Sequence, residues 1–482
     1  MKIQISNSFC KILEGNEEEC ALVKEVLTYE NDIGAEVGQL IYQRRNAQRY
    51  GNKELIKAIS AKIKFLEDTR IVCWLRDDEF PTGHLNLVRE VLKQGGYGLI
   101  KKDVRVKPDP YLILPWNNKP PKPRYYQEEI LEACLAAGRG VVEAAVGSGK
   151  SLCMTMLIKE LRVNTLIIVP SVALGVQLLE TLESAFGKSK VQSVSTADIK
   201  SKKKLKPIRI CTIQSVASLF KTNQLNPLIK DIDMLMCDEF HHAGSESFSQ
   251  LMKSLDHVYF KYGYTGTFVR QTKILDMWGF LSNVVYKYQA KQAIQEGYLT
   301  PLKGLKHVLR GEFSSSYPKE YDKNYCGPVM VQRLKQEIGV IGPHQQILIL
   351  VNRKDKAGKV FHEYLSRSGI DVSYISGDDK KEVINQTIQD FNDEKIKILI
   401  GSSVLGEGVD IRSSSHLFMC QGGKSEVVIV QAIGRCVRLF PGKPFATVHD
   451  FEFEGTKFMS KHSKRREEII KANFDLEFEL KT

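Results

Sequence analysis

Residues 140–161 have the sequence GVVEAAVGSGKSLCMTMLIKEL, in which an apolar run, a glycine-bearing loop and a helix-forming segment follow one another. The segment AAVGSGKS matches the phosphate-loop pattern, except that Ala144 stands where the strict pattern has glycine. Gly147 and Gly149, with Ser148 between them, allow the backbone to curl its N–H groups around phosphate oxygens. The helix that follows points its positive end at the same phosphates. This stretch therefore predicts a strand–loop–helix unit that binds a nucleotide.

Two side chains at the start of that helix have the chemistry that a nucleoside triphosphate requires. Lys150 supplies a cation to the β- and γ-phosphates, and Ser151 offers a hydroxyl oxygen to Mg²⁺. The alternative is a flexible Gly-Ser turn before a helix. The strand-like and helix-like segments on either side favour the nucleotide site.

Strand-like and helix-like segments alternate on both sides of this unit. The strand-like runs TLIIVP, IRICTI and DMLMCDE are apolar throughout, which indicates a parallel sheet covered on both faces. The alternation pauses near residue 300 and resumes with QILILVN, DVSYIS and IKILIGSS. The sequence therefore predicts an α/β fold class with two tandem lobes of this kind.

The remaining segments differ in composition and set the expected domain boundaries. Residues 1–107 combine strand-like and helical stretches, which predicts a small α+β domain. Residues 108–123 hold six prolines, which favour extended backbone and indicate a linker. We expect the lobes to occupy 124–300 and 301–455, followed by a basic helical tail at 456–482.

The bulk composition excludes some classes of protein. A chain of 482 residues with 43% hydrophobic and 26% charged residues is globular material that is too long for a single core. The formal net charge of +12 favours an anionic partner, although a merely soluble basic enzyme fits the charge equally well. The ten cysteines include no CxxC pair, which argues against a zinc ribbon and indicates a reducing, intracellular setting.

Neither end of the chain nor its apolar runs suggest a membrane. The stretch MKIQISNSFCKILEGNEEEC carries charge where a signal peptide needs an apolar run. The longest apolar runs are strand-length, well short of the roughly 18 residues of a membrane span. We therefore expect a soluble, cytoplasmic protein that does not bind a membrane.

The sequence IDMLMCDEFHH at 232–242 places two acids and two histidines directly after an apolar strand-like run. A phosphate loop requires a second acidic element on a nearby strand. Asp238 is expected to bind Mg²⁺ and Glu239 to polarise the attacking water, with His241 as a relay residue and His242 structural. Zinc is the alternative, but adjacent histidines point to different faces of an element, and no further His or Cys lies nearby at ligand spacing.

The sequence QAIGRCVR at 431–438 predicts a helix with one polar stripe. Gln431, Gly434, Arg435 and Arg438 share a helix face, and the other positions are apolar. Such a helix packs into its lobe and turns the stripe toward a cleft and a bound nucleotide. Because this lobe has no phosphate loop, its arginines are expected to stabilise transition-state charge on a phosphate held by the other lobe. The alternative is a solvated basic face.

The segments AAVGSGKS, DEFH, TGT and QAIGRCVR together resemble the motif series of superfamily 2 helicases of the DExH type. Their order and spacing match over residues 120–440. The resemblance implies two RecA-like lobes, with ATP between them and Mg²⁺ as the cofactor. It gives Arg435 and Arg438 the arginine-finger and phosphate-sensing roles.

The same resemblance implies roles for residues that carry no chemistry of their own. Gln127 in RYYQEEI is similar to a glutamine that reads adenine, and Gly408 and Asp410 in SSVLGEGVD are similar to residues near the ribose and the lobe interface. Taken alone, these segments also fit a surface glutamine and an acidic surface turn. Thr265 and Thr267 resemble the motif that couples ATP state to lobe closure.

Further positions at the ends of strands resemble the contacts that track a nucleic-acid strand. Short polar side chains and backbone amides suit phosphate contacts, which fix register without reading sequence. These positions are Pro170, Gln177, Thr212, Gln214, Asn352, Arg353, Ser402 and Ser403. The basic segments KSKKKLKPIR and KHSKRRE are expected to add phosphate contacts, with a solvated face as the alternative.

The N-terminal unit carries a second resemblance. The stretch RIVCWLRDDEFPTGHLNLVREVLKQGGYG, followed by the proline-rich linker, is similar to the UvsW group of phage recombination helicases. That resemblance implies an ATP-dependent DNA helicase, in the host cytoplasm if phage-encoded, that acts on branched double-stranded DNA and uses residues 1–107 as a DNA-binding domain. We expect it to be a monomer. The alternatives are an RNA helicase, which shares every core motif, and a nucleic-acid-binding scaffold with a decayed ATPase.

Overall fold

The computed structural model describes the chain except for residues 31–33, 50, 69–70, 241–245, 267–278, 353, 403–404, 406–408, 410 and 482. The described part contains a small N-terminal α+β unit and two larger α/β lobes. The predicted fold class, two tandem RecA-like lobes with a small N-terminal α+β domain, is confirmed. No described helix combines the length and the apolar character that crossing a bilayer requires.

The N-terminal unit is built on a sheet of four described strands in the order β5–β2–β1–β6, and β3 pairs with β4 in a separate described sheet. Its core contains Ile3, Ile5, Phe80, Val88 and Leu92, all at most 1% exposed. The elements are β1 (Lys2–Ile5), β2 (Phe9–Glu14), α1 (Glu17–Val26), β3 (Thr28–Glu30), α2 (Gly34–Arg49), α3 (Lys53–Asp68), β4 (Ile71–Cys73), β5 (Glu79–Pro81), a 3₁₀ turn (Thr82–His84), α4 (Leu85–Gln94) and β6 (Ile100–Asp103).

Lobe 1 follows a proline-rich extended segment and contains a parallel sheet of seven described strands. Its elements are α5 (Tyr125–Ala137), β7 (Arg139–Ala144), α6 (Lys150–Leu161), β8 (Thr165–Val169), α7 (Val172–Phe186), β9 (Val191–Ser193), α8 (Thr196–Lys200), β10 (Ile208–Thr212), α9 (Ile213–Lys221), α10 (Asn226–Ile229), β11 (Met234–Cys237), α11 (Glu246–Ser254), β12 (Phe260–Thr265), β13 (Val284–Tyr288) and α12 (Ala290–Gln295). The strand order is β13–β7–β12–β11–β8–β10–β9.

The order of these strands brings the predicted motifs together. Every residue of β8 and β11 is buried, because helices cover both faces of the sheet. Since the strands are parallel, the phosphate loop after β7 and the acids after β11 lie at the same edge, separated only by β12. Ligands of open parallel sheets bind at this carboxyl edge.

Lobe 2 contains a second parallel sheet of seven described strands, in the order β16–β17–β15–β18–β19–β14–β20. Its elements are β14 (Leu302–Arg310), α13 (Tyr317–Tyr325), α14 (Pro328–Val340), β15 (Gln346–Val351), a π-helical turn (Lys354–Gly358), α15 (Lys359–Arg367), β16 (Ser373–Ile375), α16 (Lys381–Asn392), β17 (Ile398–Gly401), β18 (Ser414–Cys420), α17 (Glu426–Cys436), β19 (Ala446–Glu454), α18 (Met459–Phe474) and β20 (Phe478–Lys481).

The segment predicted as a basic tail is part of lobe 2. Strand β20 pairs with β14 at the edge of the lobe 2 sheet, and α18 packs against β19. Arg466 in KHSKRRE is 1% exposed and paired with Asp450, so this residue of the segment faces the core rather than a nucleic acid. Lobe 2 therefore extends past the expected boundary at residue 455 to Lys481.

The N-terminal unit packs on the amino-terminal edge of the lobe 1 sheet, opposite the motifs. Lys261 Nζ, at the start of β12, donates to Ser8 Oγ at 3.1 Å, and Asn7 Nδ2 donates to the carbonyl of His257 at 3.0 Å. Burial lowers the pKa of Lys261 to about 7. These contacts attach the unit to lobe 1 without obstructing the carboxyl edge.

Three buried histidines on neighbouring strands of lobe 2 form a hydrogen-bonded chain. His307 Nε2 lies 3.0 Å from His449 Nδ1, and His449 Nε2 lies 3.0 Å from His416 Nδ1. His307 Nδ1 lies 3.5 Å from Glu337 Oε1. Burial lowers the pKa of His307 and His416 to about 4, and that of His449 well below its ordinary value. The other charged groups that act on the chain are Arg333, Lys397, Asp450 and Lys481.

The three buried histidines lead to the prediction that acid destabilises the protein in a defined pH window. Unfolded histidines have a pKa of about 6.5, so between about pH 6.5 and 4 the unfolded state binds protons that the folded state excludes. Each such imidazole lowers the free energy of unfolding by about 1.4 kcal/mol per pH unit as the pH falls. We expect His416→Gln to reduce the pH dependence of the free energy of unfolding by the contribution of about one imidazole. Denaturant unfolding between pH 7.5 and 4.5 measures this change.

The exposed His344 provides the matched control. His344→Gln removes an imidazole whose surroundings are solvated, so the pH dependence of the wild type should be retained. If the free energy of unfolding depended equally on pH in His416→Gln and the wild type, the buried histidines would have no role in the acid sensitivity.

Candidate active site between the two lobes

The phosphate loop is held in shape by the first turn of α5. Tyr126 Oη and Gln127 Nε2 each donate to the carbonyl of Ser148 at 2.8 Å, and Gln127 Oε1 accepts from the backbone N–H of Arg124 at 2.9 Å. Gly149 has φ +82°, and a Cβ there would lie 2.6 Å from Gln127 Nε2. Glycine is therefore required at position 149 for two reasons: the positive φ, and the lack of space for a Cβ beside Gln127.

The structure places the Gln127 side chain against the phosphate loop. Its carboxamide is 3% exposed and engaged with the loop backbone, and it is absent from the described lining of the cleft. The nearby residues that do line the cleft are Arg124 and Tyr298, whose guanidinium and ring lie 4.7 Å apart. The described hydrogen bonds of Gln127 are thus with the backbone of Ser148 and Arg124, and its expected contact with adenine stays a prediction.

The two acids follow β11 and face the loop lysine. Lys150 Nζ lies 4.0 Å from Glu239 Oε1 and donates to the carbonyl of Ala144 at 3.3 Å. Glu239 has φ +47°, a left-handed conformation that a non-glycine residue adopts at a cost, and its N–H donates to Asp238 Oδ1 at 3.0 Å. Such strain is typical of functional sites, where the surrounding structure holds the residue in place.

The end of β12 lies beside the same lysine. Thr265 is fully buried at the end of this strand. A Cβ on the next residue, Gly266, would lie 3.5 Å from Lys150 Nζ and 2.8 Å from Val146 Cγ2. The segment expected to couple ATP state to lobe closure therefore begins in contact with the phosphate loop.

Lobe 2 brings its polar helix directly onto the phosphate loop. A Cβ at Gly434 in α17 would lie 2.7 Å from Val146 Cβ, so the two backbones approach closely at this point. Arg435 is 7% exposed, and its Nη1 donates to the carbonyl of Gln431 at 2.9 Å. Burial lowers the pKa of Arg438, a cost that a bound phosphate would offset.

Both lobes line one cleft of about 490 Å³. Lobe 1 contributes the phosphate loop, the two acids and part of α7 to its lining. Lobe 2 contributes Gln431 and Arg435 of α17, and Arg438 just after it. Its described lining holds five cations and two acids, and this excess of positive charge suits a triphosphate. The charged residues are Arg124, Lys150, Asp238, Glu239, Arg412, Arg435 and Arg438.

The predicted donor set also fits Mg²⁺. Asp238, Glu239 and Ser151 all line the cleft and present carboxylate and hydroxyl oxygens. Such hard oxygen ligands are those that Mg²⁺ prefers, usually together with substrate phosphates and water.

Three of the expected strand-tracking residues lie together in lobe 1. Gln214 Nε2 donates to the carbonyl of Pro170 at 3.1 Å, and the Thr212 hydroxyl caps α9 by accepting from the N–H of Ser215 at 3.2 Å. Gln177 is different, because it lies inside α7 and lines the nucleotide cleft. The structure thus places Gln177 at the lining of the inter-lobe cleft, and its expected nucleic-acid contact stays a prediction.

Two expected strand-tracking residues of lobe 2 line a second inter-lobe cavity of about 590 Å³. Asn352 and Ser402 lie here, opposite Ser171 at the start of α7. The loop 421–425 forms another wall, and Arg435 borders this cavity as well as the nucleotide cleft. The described residues thus place the two cavities side by side, with α17 between them.

Six expected site residues lie outside the described residues. They are His241, Thr267, Arg353, Ser403, Gly408 and Asp410.

Several lining residues were not anticipated from the sequence. Arg124 and Arg412 lie three residues before Gln127 and two residues after Asp410, so proximity to motifs is the signal that could have found them. Tyr298, Leu299 and other apolar lining residues carry no local pattern, because separate chain segments bring them to the cleft.

The close approach at Gly434 leads to a prediction. Gly434→Ala should stabilise α17 by up to about 1 kcal/mol through helix propensity, yet its methyl group would push against Val146 Cβ. We therefore expect kcat/KM for ATP to fall at least about tenfold, a transition-state loss of about 1.4 kcal/mol, while Tm is retained. Steady-state ATPase kinetics and thermal unfolding measure the two effects.

Gly339 in α14 provides the matched control, because nothing lies within 4 Å of a Cβ added there. Gly339→Ala should leave ATP hydrolysis unchanged. An unchanged kcat/KM in Gly434→Ala would show that the close approach of the lobes is not needed for hydrolysis.

Two sequence families match the parts of the chain that form this site. The family described as "Type III restriction enzyme, res subunit" matches residues 120–270, and the "Helicase conserved C-terminal domain" matches residues 330–440. The chain belongs to the superfamily 2 helicases. It is a nucleic-acid helicase of an ATP-dependent family.

Named relatives and solved structures are similar to this helicase over most of its length. The ATP-dependent DNA helicase uvsW of Enterobacteria phage T4 is 25% identical over 375 residues, 72% of each chain. The DNA 3'-5' translocase XPB2 of Sulfurisphaera tokodaii is 24% identical over 357 residues, 65% of this helicase and 78% of the relative. The structure of S. cerevisiae Dbp5 bound to RNA and ADP BeF3 has a TM-score of 0.55 at 18% identity, covering 75% of this helicase and 90% of Dbp5.

Proposed function

We propose that the chain is an ATP-driven motor that acts on branched double-stranded DNA, as a monomer. One observation carries the motor assignment: a lysine and two carboxylates from lobe 1 line the same cleft as two arginines from lobe 2. A triphosphate bound there bridges the lobes, so its hydrolysis changes what holds them together.

The proposed chemistry divides between the two lobes. Lys150 binds the β- and γ-phosphates, and Glu239 accepts a proton from the water that attacks the γ-phosphate. Arg435 and Arg438 reach across from lobe 2 and stabilise the charge that develops on the transferred phosphoryl group. Mg²⁺, when bound by Asp238 and Ser151, neutralises phosphate charge.

Movement along nucleic acid follows from lobe closure. In the structure α17 rests on the phosphate loop at Gly434, beside the second cavity. In the proposed cycle this arrangement corresponds to the ATP-bound state, in which the second cavity holds one strand. Hydrolysis removes the phosphate that both lobes hold, and the lobes separate. Pro170, Gln214, Asn352 and Ser402 contact the strand through its phosphates, which makes binding independent of base sequence.

The similarity to uvsW, named as a DNA helicase, supports DNA as the substrate. It extends over 375 residues. The N-terminal unit supports a branched substrate, because it is fixed to lobe 1 at the edge opposite the ATP cleft. A second DNA arm can contact this unit while one strand passes between the lobes.

RNA is the alternative substrate, because superfamily 2 helicases that act on RNA share the core motifs. Initial rates of ATP hydrolysis with forked DNA, linear duplex and single-stranded RNA at equal nucleotide concentration separate the two. We expect forked DNA to stimulate hydrolysis most, and strand displacement on the fork to require ATP. Stimulation that is greatest with RNA would contradict the DNA assignment.

A scaffold with a decayed ATPase is the remaining alternative. Lys150→Ala is the control, since it removes the cation that contacts the phosphates and leaves the loop glycines in place. Strand displacement that continues unchanged in this variant would favour the scaffold over the motor.

A further inference from the structure

Arg466 in α18 is a buried cation that none of the proposed ATP chemistry uses. It is 1% exposed, and its Nε donates to Asp450 Oδ1 at 2.7 Å. Its Nη2 donates to the carbonyl of Phe451 at 3.1 Å, and its Nη1 donates to the carbonyl of Gly423, also at 3.1 Å. The second oxygen of Asp450 accepts from the Ser463 hydroxyl at 2.9 Å. The guanidinium therefore connects helix α18, strand β19 and the loop that contains Gly423.

A buried ion pair of this kind is a poor source of stability, because desolvation offsets most of the attraction between the charges. Apolar side chains of similar volume would fill the same space at least as favourably. What a guanidinium adds is direction, since its planar fork holds several acceptors in one fixed arrangement. In Arg466 one of those acceptors lies outside the core, at Gly423.

Gly423 belongs to the loop 421–425, which lines the second inter-lobe cavity. Gly422 and Gly423 have φ +62° and +80°, so the loop is formed by residues with wide backbone freedom. The loop leads directly into α17, which carries Arg435. The hydrogen bond from Arg466 to the Gly423 carbonyl therefore holds a wall of the second cavity and the start of α17 in place.

The other end of α18 holds the same helix. Asn473 Nδ2 donates to Glu426 Oε1 at 3.1 Å, in the first turn of α17. Helix α18 also packs against α12 of lobe 1. At its start, the fully buried Glu320 accepts from the N–H groups of Phe458 and Met459 at 2.7 and 2.8 Å. Helix α18 thus contacts the loop that lines the second inter-lobe cavity, helix α17 and lobe 1.

We propose that Arg466 is a positioning residue that, through Gly423 and α17, transmits strand binding in the second cavity to the arginines of the ATP cleft. The proposal rests on the proposed function, because it requires a strand in that cavity. It concerns the stimulation of hydrolysis by nucleic acid and leaves the unstimulated reaction to the groups that line the ATP cleft.

The test compares Arg466→Lys with Arg465→Lys at the neighbouring exposed position. A lysine at 466 keeps a charge beside Asp450, but one ammonium cannot also span the carbonyls of Phe451 and Gly423. We expect basal ATPase to stay within about twofold of the wild type and fork-stimulated kcat to fall at least about tenfold, or 1.4 kcal/mol. Arg465→Lys should match the wild type in both.

Equal loss of basal and fork-stimulated rates in Arg466→Lys, or loss of neither, would overturn the proposal. If this variant fails to fold, Asn473→Ala decides by the same criterion, because it cuts the contact at the other end of α18. Failure of the proposed function gives a different result: the wild-type ATPase would then respond to none of the nucleic acids, or would respond most to RNA.

Discussion

Arg435→Ala is expected to lower kcat for ATP hydrolysis by about a thousandfold, the smallest effect usual for an arginine that stabilises phosphoryl transfer. Arg435 is 7% exposed and lines the cleft together with Lys150 and Glu239 of the other lobe. Its charge acts mainly on the transition state, in which negative charge on the phosphoryl group is spread toward it. Binding of ATP should therefore weaken far less than kcat falls, as measured by steady-state kinetics with forked DNA.

Arg367→Ala is the matched control, because that side chain is 82% exposed at the end of α15 and paired only with Glu363 among the described contacts. It should leave kcat unchanged. A kcat within tenfold of the wild type in Arg435→Ala would mean that Arg435 does not stabilise the transition state of hydrolysis.

Glu239→Gln should separate ATP binding from ATP hydrolysis. The amide keeps the size of the side chain but cannot accept a proton from the attacking water. Loss of a general base usually costs about 10²–10⁴ in rate. ATP affinity should stay within a few-fold of the wild type, since Lys150, Arg435 and the loop backbone remain. Single-turnover hydrolysis and equilibrium binding of ATP measure the two quantities.

Glu143→Gln provides the control for this change. Glu143 lies on β7 near the phosphate loop and pairs with Lys287 at 3.1 Å, outside the described lining of the cleft. Its replacement should leave the single-turnover rate unchanged. If Glu239→Gln hydrolysed ATP at the wild-type rate, another residue would have to activate the water.

The two lobes and the phosphate loop could be predicted from the sequence for a physical reason. Strands covered on both faces are apolar throughout, so TLIIV and DMLMC stand out from the amphipathic helices between them. The loop needs glycine at Gly147 and Gly149 because of positive φ, and this requirement is local. Motifs at the ends of parallel strands then meet at one edge of the sheet.

Other features depend on contacts that are distant in sequence. The segment at 456–482 contains the basic run KHSKRR, and only its pairing with β14 and Asp450 shows that it belongs to lobe 2. Helix α2 contains QRRNAQR and lacks a clear apolar stripe, so periodicity did not indicate it. The turning of Gln127 toward the loop backbone and of Gln177 toward the cleft depends on how α5 and α7 pack.

The central claim is that one triphosphate is held from both lobes, and the binding of ADP–beryllium fluoride compared with ADP tests it most directly. Beryllium fluoride occupies the position of the γ-phosphate. We expect the wild type to bind ADP–beryllium fluoride at least about tenfold more tightly than ADP, a difference of about 1.4 kcal/mol, and Arg435→Ala to lose part of that preference with unchanged affinity for ADP. An Arg435→Ala variant that keeps the full preference would contradict the claim.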